Sequence, residues 1–275
     1  MRRAWKKPVP VALTVAGSDS GGCAGIQADL RTFSALGVHG ASVICTLTAQ
    51  NTLRVAGVHD VPAAFVGLQF DTVCEDLPVS AVKTGMLSTA ENIEVVVDRL
   101  QRWGLRRTVV DPVMVSTSGA RLIDPEATEV LVRRLFPLAA LVTPNLREAE
   151  ALTGLDVDTP DALLEAGRRL LASGAGAVLI KGGHGTDPGT VVDLLVTPAG
   201  AEEFAAPRID TPHTHGSGCT LAAAVAAGLA HGLEVREAVE QARRFVTEAI
   251  RYGYAVGAGS GPLGHFFFEA AAGNG

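Results

Sequence analysis

The chain has 275 residues, 47% hydrophobic, 5% aromatic and 19% charged, with a formal net charge of -6. At that length roughly 75% of the unfolded surface can be buried, which excludes a disordered chain. The negative balance excludes bulk attraction to nucleic acid or acidic membranes. No run approaches the roughly 18 apolar residues of a membrane span. The partners expected are small molecules, and any phosphate has to be held by local backbone dipoles. Cys23, Cys45, Cys74 and Cys219 show no paired spacing. They read as reduced thiols, and the compartment as cytoplasmic.

In chain order, Arg2, Arg3, Lys6 and Lys7 precede the apolar run Val9 to Ala16 as they would in a secretory leader. That run is short and holds Pro10 and β-branched residues, so it reads as a buried first strand. The strand Val11 to Ala16 ends in the loop Gly17-Ser18-Asp19-Ser20-Gly21-Gly22-Cys23-Ala24-Gly25, and a helix follows over Ile26 to Leu36. The glycines let a ligand approach the backbone, with Asp19 and Asp29 as acceptors. Equally, Asp19 forms an Asx turn and Asp29 is a first-turn acid favouring the helix dipole.

Strand Ser42 to Thr48, a small flap at Leu53 to Pro62, helix Ala63 to Cys74 and strand Val79 to Thr84 come next. The alternation continues with helix Ala90 to Trp103, strand Thr108 to Asp111, helix Glu126 to Leu135 and strand Ala140 to Thr143. Helices Leu146 to Leu152 and Ala162 to Ala172 precede strand Ala177 to Lys181. Val191 to Val196 and Glu203 to Ala206 read as a hairpin or edge strands, and helices Thr220 to His231 and Arg236 to Tyr252 close the chain. Such alternation implies right-handed crossovers and one α/β domain over 1–275, with a mainly parallel sheet covered by helices on both faces. Ligands belong at the carboxyl ends of its strands.

The most telling stretch is His213-Thr214-His215-Gly216-Ser217-Gly218-Cys219-Thr220, which runs straight into the apolar helix Leu221 to Ala230. Its glycines let backbone N–H groups turn inward, and the helix adds the positive end of its dipole, so the loop is built for an anion. A merely structural helix start would carry Ser, Thr, Asp or Asn at the cap. Asp111 either caps a strand exit or orients a magnesium-bound water. Asn145 and Glu148 are accounted for by a capping box. The only Gly-x-Gly-x-x-Gly match, Gly259 to Gly264, follows the last helix, contains Pro262 and is a coincidence.

The ordered set Ala16-Gly17-Ser18-Asp19, Gly25-Ile26-Gln27-Ala28-Asp29, Ala49-Gln50-Asn51-Thr52, Lys83-Thr84-Gly85-Met86-Leu87, Asp111-Pro112-Val113-Met114, Thr143-Pro144-Asn145, Lys181-Gly182-Gly183 and Thr214-His215-Gly216-Ser217-Gly218-Cys219 is specific as a whole. It resembles the ribokinase-like superfamily and, within it, the hydroxymethylpyrimidine and phosphomethylpyrimidine kinases of thiamine biosynthesis, from Ala12 to about Phe266. The resemblance implies a ribokinase-like fold, ATP and Mg2+ as cofactors, and a homodimer. It implies Gln50 gripping a 4-aminopyrimidine edge, beside Gly17, Asp29, Met86 and Val113. It places ATP across Asn145, Lys181, Thr214 and the loop Gly216, Ser217 and Gly218, with Asp111 and Glu148 near magnesium. Cys219 is then the base for the substrate hydroxyl, its thiol lowered by the helix N-terminus. A pyridoxal kinase of the same superfamily and a non-catalytic ligand-binding relative are the alternatives. Cys23 stands where the family commonly has Gly or Ala and reads as a packed small residue, while Gly257 to Gly261 leaves the contacts of the tail open.

Overall fold

In a computed structural model, residues 8–114, 123–184 and 189–266 are described. Nine strands form one sheet in the order β3-β2-β1-β4-β5-β6-β7-β8-β9. The six inner strands, β1 (Val11–Asp19), β2 (His39–Gln50), β4 (Val79–Thr84), β5 (Thr108–Val110), β6 (Leu141–Val142) and β7 (Val178–Ile180), run parallel. Antiparallel strands close both edges: β3 (Val55–Asp60) on β2, and the hairpin β8 (Thr190–Thr197) and β9 (Gly200–Pro207) on β7. The expected flap is β3, and the apolar run after the N-terminal basic residues is the inner strand β1.

Parallel strands covered on both faces are apolar on both faces. With the period of two that a pleat imposes, Leu13, Val15, Val82, Val110, Val142, Val178 and Ile180 enter one core. Ala12, Ala81, Val109, Leu141, Ala177 and Leu179 enter the other. The first core is covered by α2 (Ala63–Asp76), α3 (Ala90–Arg102), α4 (Pro125–Val130) with a π turn over Leu131–Leu135, α5 (Leu146–Thr153) and α6 (Pro160–Ala172). The second is covered by α1 (Gly25–Ala35), α7 (Ser217–Ala230) and α8 (Val235–Arg251).

Helix α7 is buried on every side from Thr220 to Ala230, which its small residues permit. Gly228 lets α8 come so near that an added Cβ would lie 2.9 Å from that of Ala238. The glycines of the tail serve the same end. A Cβ on Gly257 would sit 2.6 Å from the Thr52 hydroxyl oxygen, and one on Gly259 2.0 Å from the Thr52 carbonyl, so the segment after α8 packs against the β2–β3 turn. Gly259 to Gly264 follow α8, and among the described residues no helix comes after them.

Candidate active site

Strand order reverses about β1 and β4, and a cavity of about 660 Å³ opens over the carboxyl ends of the strands. That position and size suit a small-molecule site in an open α/β sheet. Each inner strand contributes at its end: Gly17 and Asp19 from β1, Gln50 from β2, Met86 after β4, Asp111 and Val113 after β5, Asn145 after β6, and Lys181 after β7. Thr214, Gly216, Ser217, Gly218 and Cys219 close the other wall, and Glu148 reaches in from α5.

The start of α7 has the geometry its sequence implied. Gly216 is the N-cap at φ 85, in the left-handed region, and no side chain caps the helix. A Cβ there would lie 2.1 Å from the Cys23 carbonyl, so only glycine fits. Ser217 N–H closes on the Thr214 carbonyl at 3.1 Å, and Thr220 N–H on Gly216 at 2.9 Å. Among the described residues, the N–H groups of Gly218 and Cys219 have no protein acceptor. The anion cradle of the first turn is therefore these two amides, with Ser217 spent on the turn itself.

Lys181 and Asp111 face that cradle. Lys181 Nζ lies 2.7 Å from Asp111 Oδ1 and 4.0 Å from Glu148 Oε2. A Cβ on Gly218 would come within 3.2 Å of the same Nζ. Burial works against the Lys181 charge, but Asp111 and Glu148 outweigh it and hold the ammonium above the ordinary lysine range. Glu148 is pushed up to about 7 by burial, aided by Asp111 and opposed by Lys181. The capping box is present: Asn145 Oδ1 accepts from Glu148 N–H at 2.9 Å, and Glu148 Oε2 from Asn145 N–H at 2.7 Å.

Asp19 is the Asx-turn residue. Its carboxylate accepts from the N–H groups of Gly21, Cys23 and Ala24 at 2.8, 2.9 and 2.9 Å. Burial opposes its charge, yet His215 and these three amides hold the carboxyl below its ordinary value. Gln50 Nε2 lies 3.1 Å from His215 Nε2, and its Oε1 lies 3.2 Å from the Thr48 hydroxyl. Gly17 leaves room for Met86, whose sulfur would be 3.5 Å from an added Cβ. Cys23 is buried, at 1% exposure, as a packed residue.

Two expectations need correction. Asp29 does not line the cavity and is not in the first turn of its helix. It lies fully enclosed beneath the floor, with Oδ2 2.6 Å from the Thr14 hydroxyl and 2.8 Å from Lys83 Nζ. The Cys219 thiol is pushed up to about 11, not down, because desolvation by the surrounding walls exceeds the pull of Lys83 and the Gly25 N–H. Sequence reasoning assigned no role to Lys83, His215 or Thr48. For Lys83 a signal was present, a lysine in the otherwise buried strand Val79–Thr84.

A parallel sheet with its cavity at the switch point, an open helix N-terminus and a lysine facing it define a ribokinase-like small-molecule kinase. The Phosphomethylpyrimidine kinase family model matches residues 19–264, and the chain belongs to that family. It is 50% identical over 259 residues to the hydroxymethylpyrimidine/phosphomethylpyrimidine kinase of Synechococcus elongatus, covering 94% of this chain and 98% of that one. It is 53% identical over 253 residues to the thiamine biosynthesis bifunctional protein ThiED of Geobacter sulfurreducens, covering 92% of this chain and about half (51%) of that longer protein. A crystal structure of Bacillus subtilis pyridoxal kinase in complex with ADP superposes with a TM-score of 0.89 at 38% identity, covering 95% of this chain and 99% of that one. The enzyme is a phosphotransferase.

Proposed function

We propose that the enzyme transfers the γ-phosphoryl group of ATP to the hydroxyl of 4-amino-5-hydroxymethyl-2-methylpyrimidine, and then phosphorylates the monophosphate to the diphosphate. The observation that carries this reading is the pair of acceptor-free amides at Gly218 and Cys219, which line one cavity with the Gln50 carboxamide. The nucleotide lies across Asn145, Lys181, Thr214 and the first turn of α7, where the two amides and Lys181 stabilise the charge on the transferring group. Gln50 offers an acceptor and a donor side by side to the aminopyrimidine edge, with Met86 and Val113 against ring and methyl.

Asp111 and Glu148 supply the hard oxygen donors magnesium prefers, but the Lys181 ammonium, 2.7 and 4.0 Å away, already stands between them. The two carboxylates therefore fit the ion through bound water; when bound, it neutralises phosphate charge. Two further points belong to this reading: a homodimer, consistent with the edge strand β3, where Val58 is exposed, and with exposed Leu53 in the turn before it, and a cytoplasmic location, consistent with four unpaired cysteines. No helix among the described residues is long and apolar enough to cross a membrane.

ADP release measured with the aminopyrimidine alcohol, its monophosphate, pyridoxal and ribose tests the substrate. Turnover of the first two above pyridoxal is expected; a preference for pyridoxal, which the structural likeness to pyridoxal kinase makes the second candidate, overturns it. Cys219→Ala separates the steps. An alcohol must lose a proton, whereas a phosphate monoester, with a second pKa of about 6, is already largely ionised. The first transfer should slow by about 100-fold and the second by much less. Equal losses would make Cys219 structural or a phosphate ligand.

A further inference from the structure

Beneath the cavity floor lies a buried charge that the reaction as described leaves unused. Lys83, on the inner strand β4, is wholly enclosed, and the one hydrogen bond of its ammonium among the described residues goes to Asp29 Oδ2 at 2.8 Å. Asp29 is equally enclosed, and its Oδ1 has no hydrogen-bond partner among the described residues. Gly85 leaves the room the ammonium occupies, since a Cβ there would sit 2.9 Å from Lys83 Nζ.

Such a pair is weak evidence for stability. Desolvating two ions costs several kcal/mol each, and apolar residues of similar volume often serve a fold as well or better. An incompletely satisfied pair buried between the sheet and α1 is therefore better explained by what it faces. Lys83 also lines the cavity, together with Cys219 in the first turn of α7. The charged groups that act on Cys219 are Lys83 from β4, Asp29 from α1, Asp111 after β5 and Lys181 after β7. Of the two ammoniums, Lys181 is committed to Asp111 at 2.7 Å. Lys83 is the cation that acts most strongly on the sulfur, and Asp29 the anion that most offsets it. Burial works against the Lys83 charge, but Asp29, Cys219 and Asp111 together keep the ammonium above the ordinary lysine range.

We propose that Lys83 is a positioning residue for Cys219: its ammonium, pinned from behind by Asp29, is the counter-ion that lets the sulfur carry negative charge as it accepts the proton of the substrate hydroxyl. In that step the hydroxyl oxygen bonds to the γ-phosphorus, the bond from phosphorus to the bridging oxygen of ADP breaks, and the hydroxyl proton passes to Cys219 sulfur. Lys83 keeps its own protons throughout. The catalytic consequence rests on Cys219 acting as the base, while the electrostatic one does not.

The test is the rate of iodoacetamide alkylation at Cys219, followed by mass spectrometry of its own peptide so that Cys23, Cys45 and Cys74 do not contribute. The rate is read at one pH well below the thiol midpoint, where it follows the thiolate fraction. Lys83→Met removes the cation and should slow alkylation by about tenfold. Asp29→Asn removes the offsetting anion and should accelerate it by a similar factor. Opposite signs from two neighbouring substitutions are what loosened packing cannot produce. Changes of the same sign, or no change, overturn the proposal. If Lys83→Met does not fold, Asp29→Asn alone decides: acceleration supports the role and slowing refutes it.

In turnover, Lys83→Met should lower kcat with the aminopyrimidine alcohol by about tenfold or more, leaving its KM and the monophosphate reaction nearly unchanged. Equal losses with both acceptors refute a role through the base. Should Cys219→Ala spare the first transfer, the base assignment falls, and the alkylation rates still judge the Lys83 and Asp29 pair.

Discussion

Helices α5 and α7 begin at the same cavity and end their orphan N–H groups in opposite ways. At α5, Asn145 and Glu148 satisfy each other's amides at 2.9 and 2.7 Å, and the helix start is chemically closed. At α7 the cap is a left-handed glycine with no side chain, and the second and third amides remain open. A glycine cap costs only a few tenths of a kcal/mol relative to a polar one, so the opening is inexpensive. A helix N-terminus beside a cavity is thus not by itself an anion site; it becomes one where the cap consumes none of its donors.

The largest break in this contrast comes from Gly216→Ala. The new Cβ meets the Cys23 carbonyl at 2.1 Å on a backbone already at φ 85, so the turn must open. A stability loss of roughly 3 kcal/mol is expected, with activity down by at least about 100-fold. Gly232, just past the other end of α7, shares the conformation at φ 90 but has nothing within 4 Å of an added Cβ. Gly232→Ala should lose only about 1 kcal/mol in denaturant unfolding, with activity intact. Similar losses in the two variants would show that the close approach to Cys23 is unimportant.

Next in size is a pair of opposite pH dependences, one at each helix start. His265 shares a 3.0 Å hydrogen bond with Thr220 in the first turn of α7, and burial lowers its pKa to about 4 from 6.5. A base whose folded value is depressed contributes stability above its unfolded value and loses it as pH falls. His265 should therefore cost up to about 3 kcal/mol between pH 6.5 and 4. Glu148, raised from 4.5 to about 7, does the reverse: its contribution is complete below 4.5 and fades as pH rises toward 7. Denaturant midpoints from pH 4 to 7 should vary less with acid in His265→Asn and more in Glu148→Gln. Parallel curves for both variants and the parent would refute this pairing of signs.

The same two helices mark what the sequence can disclose. The sheet was legible because its strands alternate with helices and are apolar on both faces, and the edge hairpin because glycines and alternating residues interrupt that pattern. The capping box was legible because it is local, three residues apart. Gly216 was legible as a turn, though nothing local says that it lies against Cys23, 193 positions earlier in the chain. The direction of the Cys219 thiol was misread for the same reason. A helix N-terminus is visible in sequence, whereas the burial of the sulfur comes with the packing of α7 on α1, β1, β4 and β5. Asp29 and Lys83 are 54 residues apart, and only the crossover that lays α1 under the floor makes them a pair.

The smallest expected effect asks whether α5 is closed for its own stability or for the ligand. Asn145→Ala removes the acceptor for Glu148 N–H, which at an N-cap typically costs about 1 kcal/mol. It also frees an amide at the cavity wall, close to the carboxylate of Glu148, whose own bond to Asn145 N–H survives because it uses the backbone. If the cap is purely structural, unfolding midpoints should fall by that amount while KM for ATP stays put. If Asn145 also holds the nucleotide, KM for ATP should rise several-fold as well, and Asn145→Asp, which keeps the cap but adds a negative charge facing phosphate, should restore stability without restoring KM. Recovery of both by Asp would mean that α5 contributes only a closed end, leaving the anion to α7 alone.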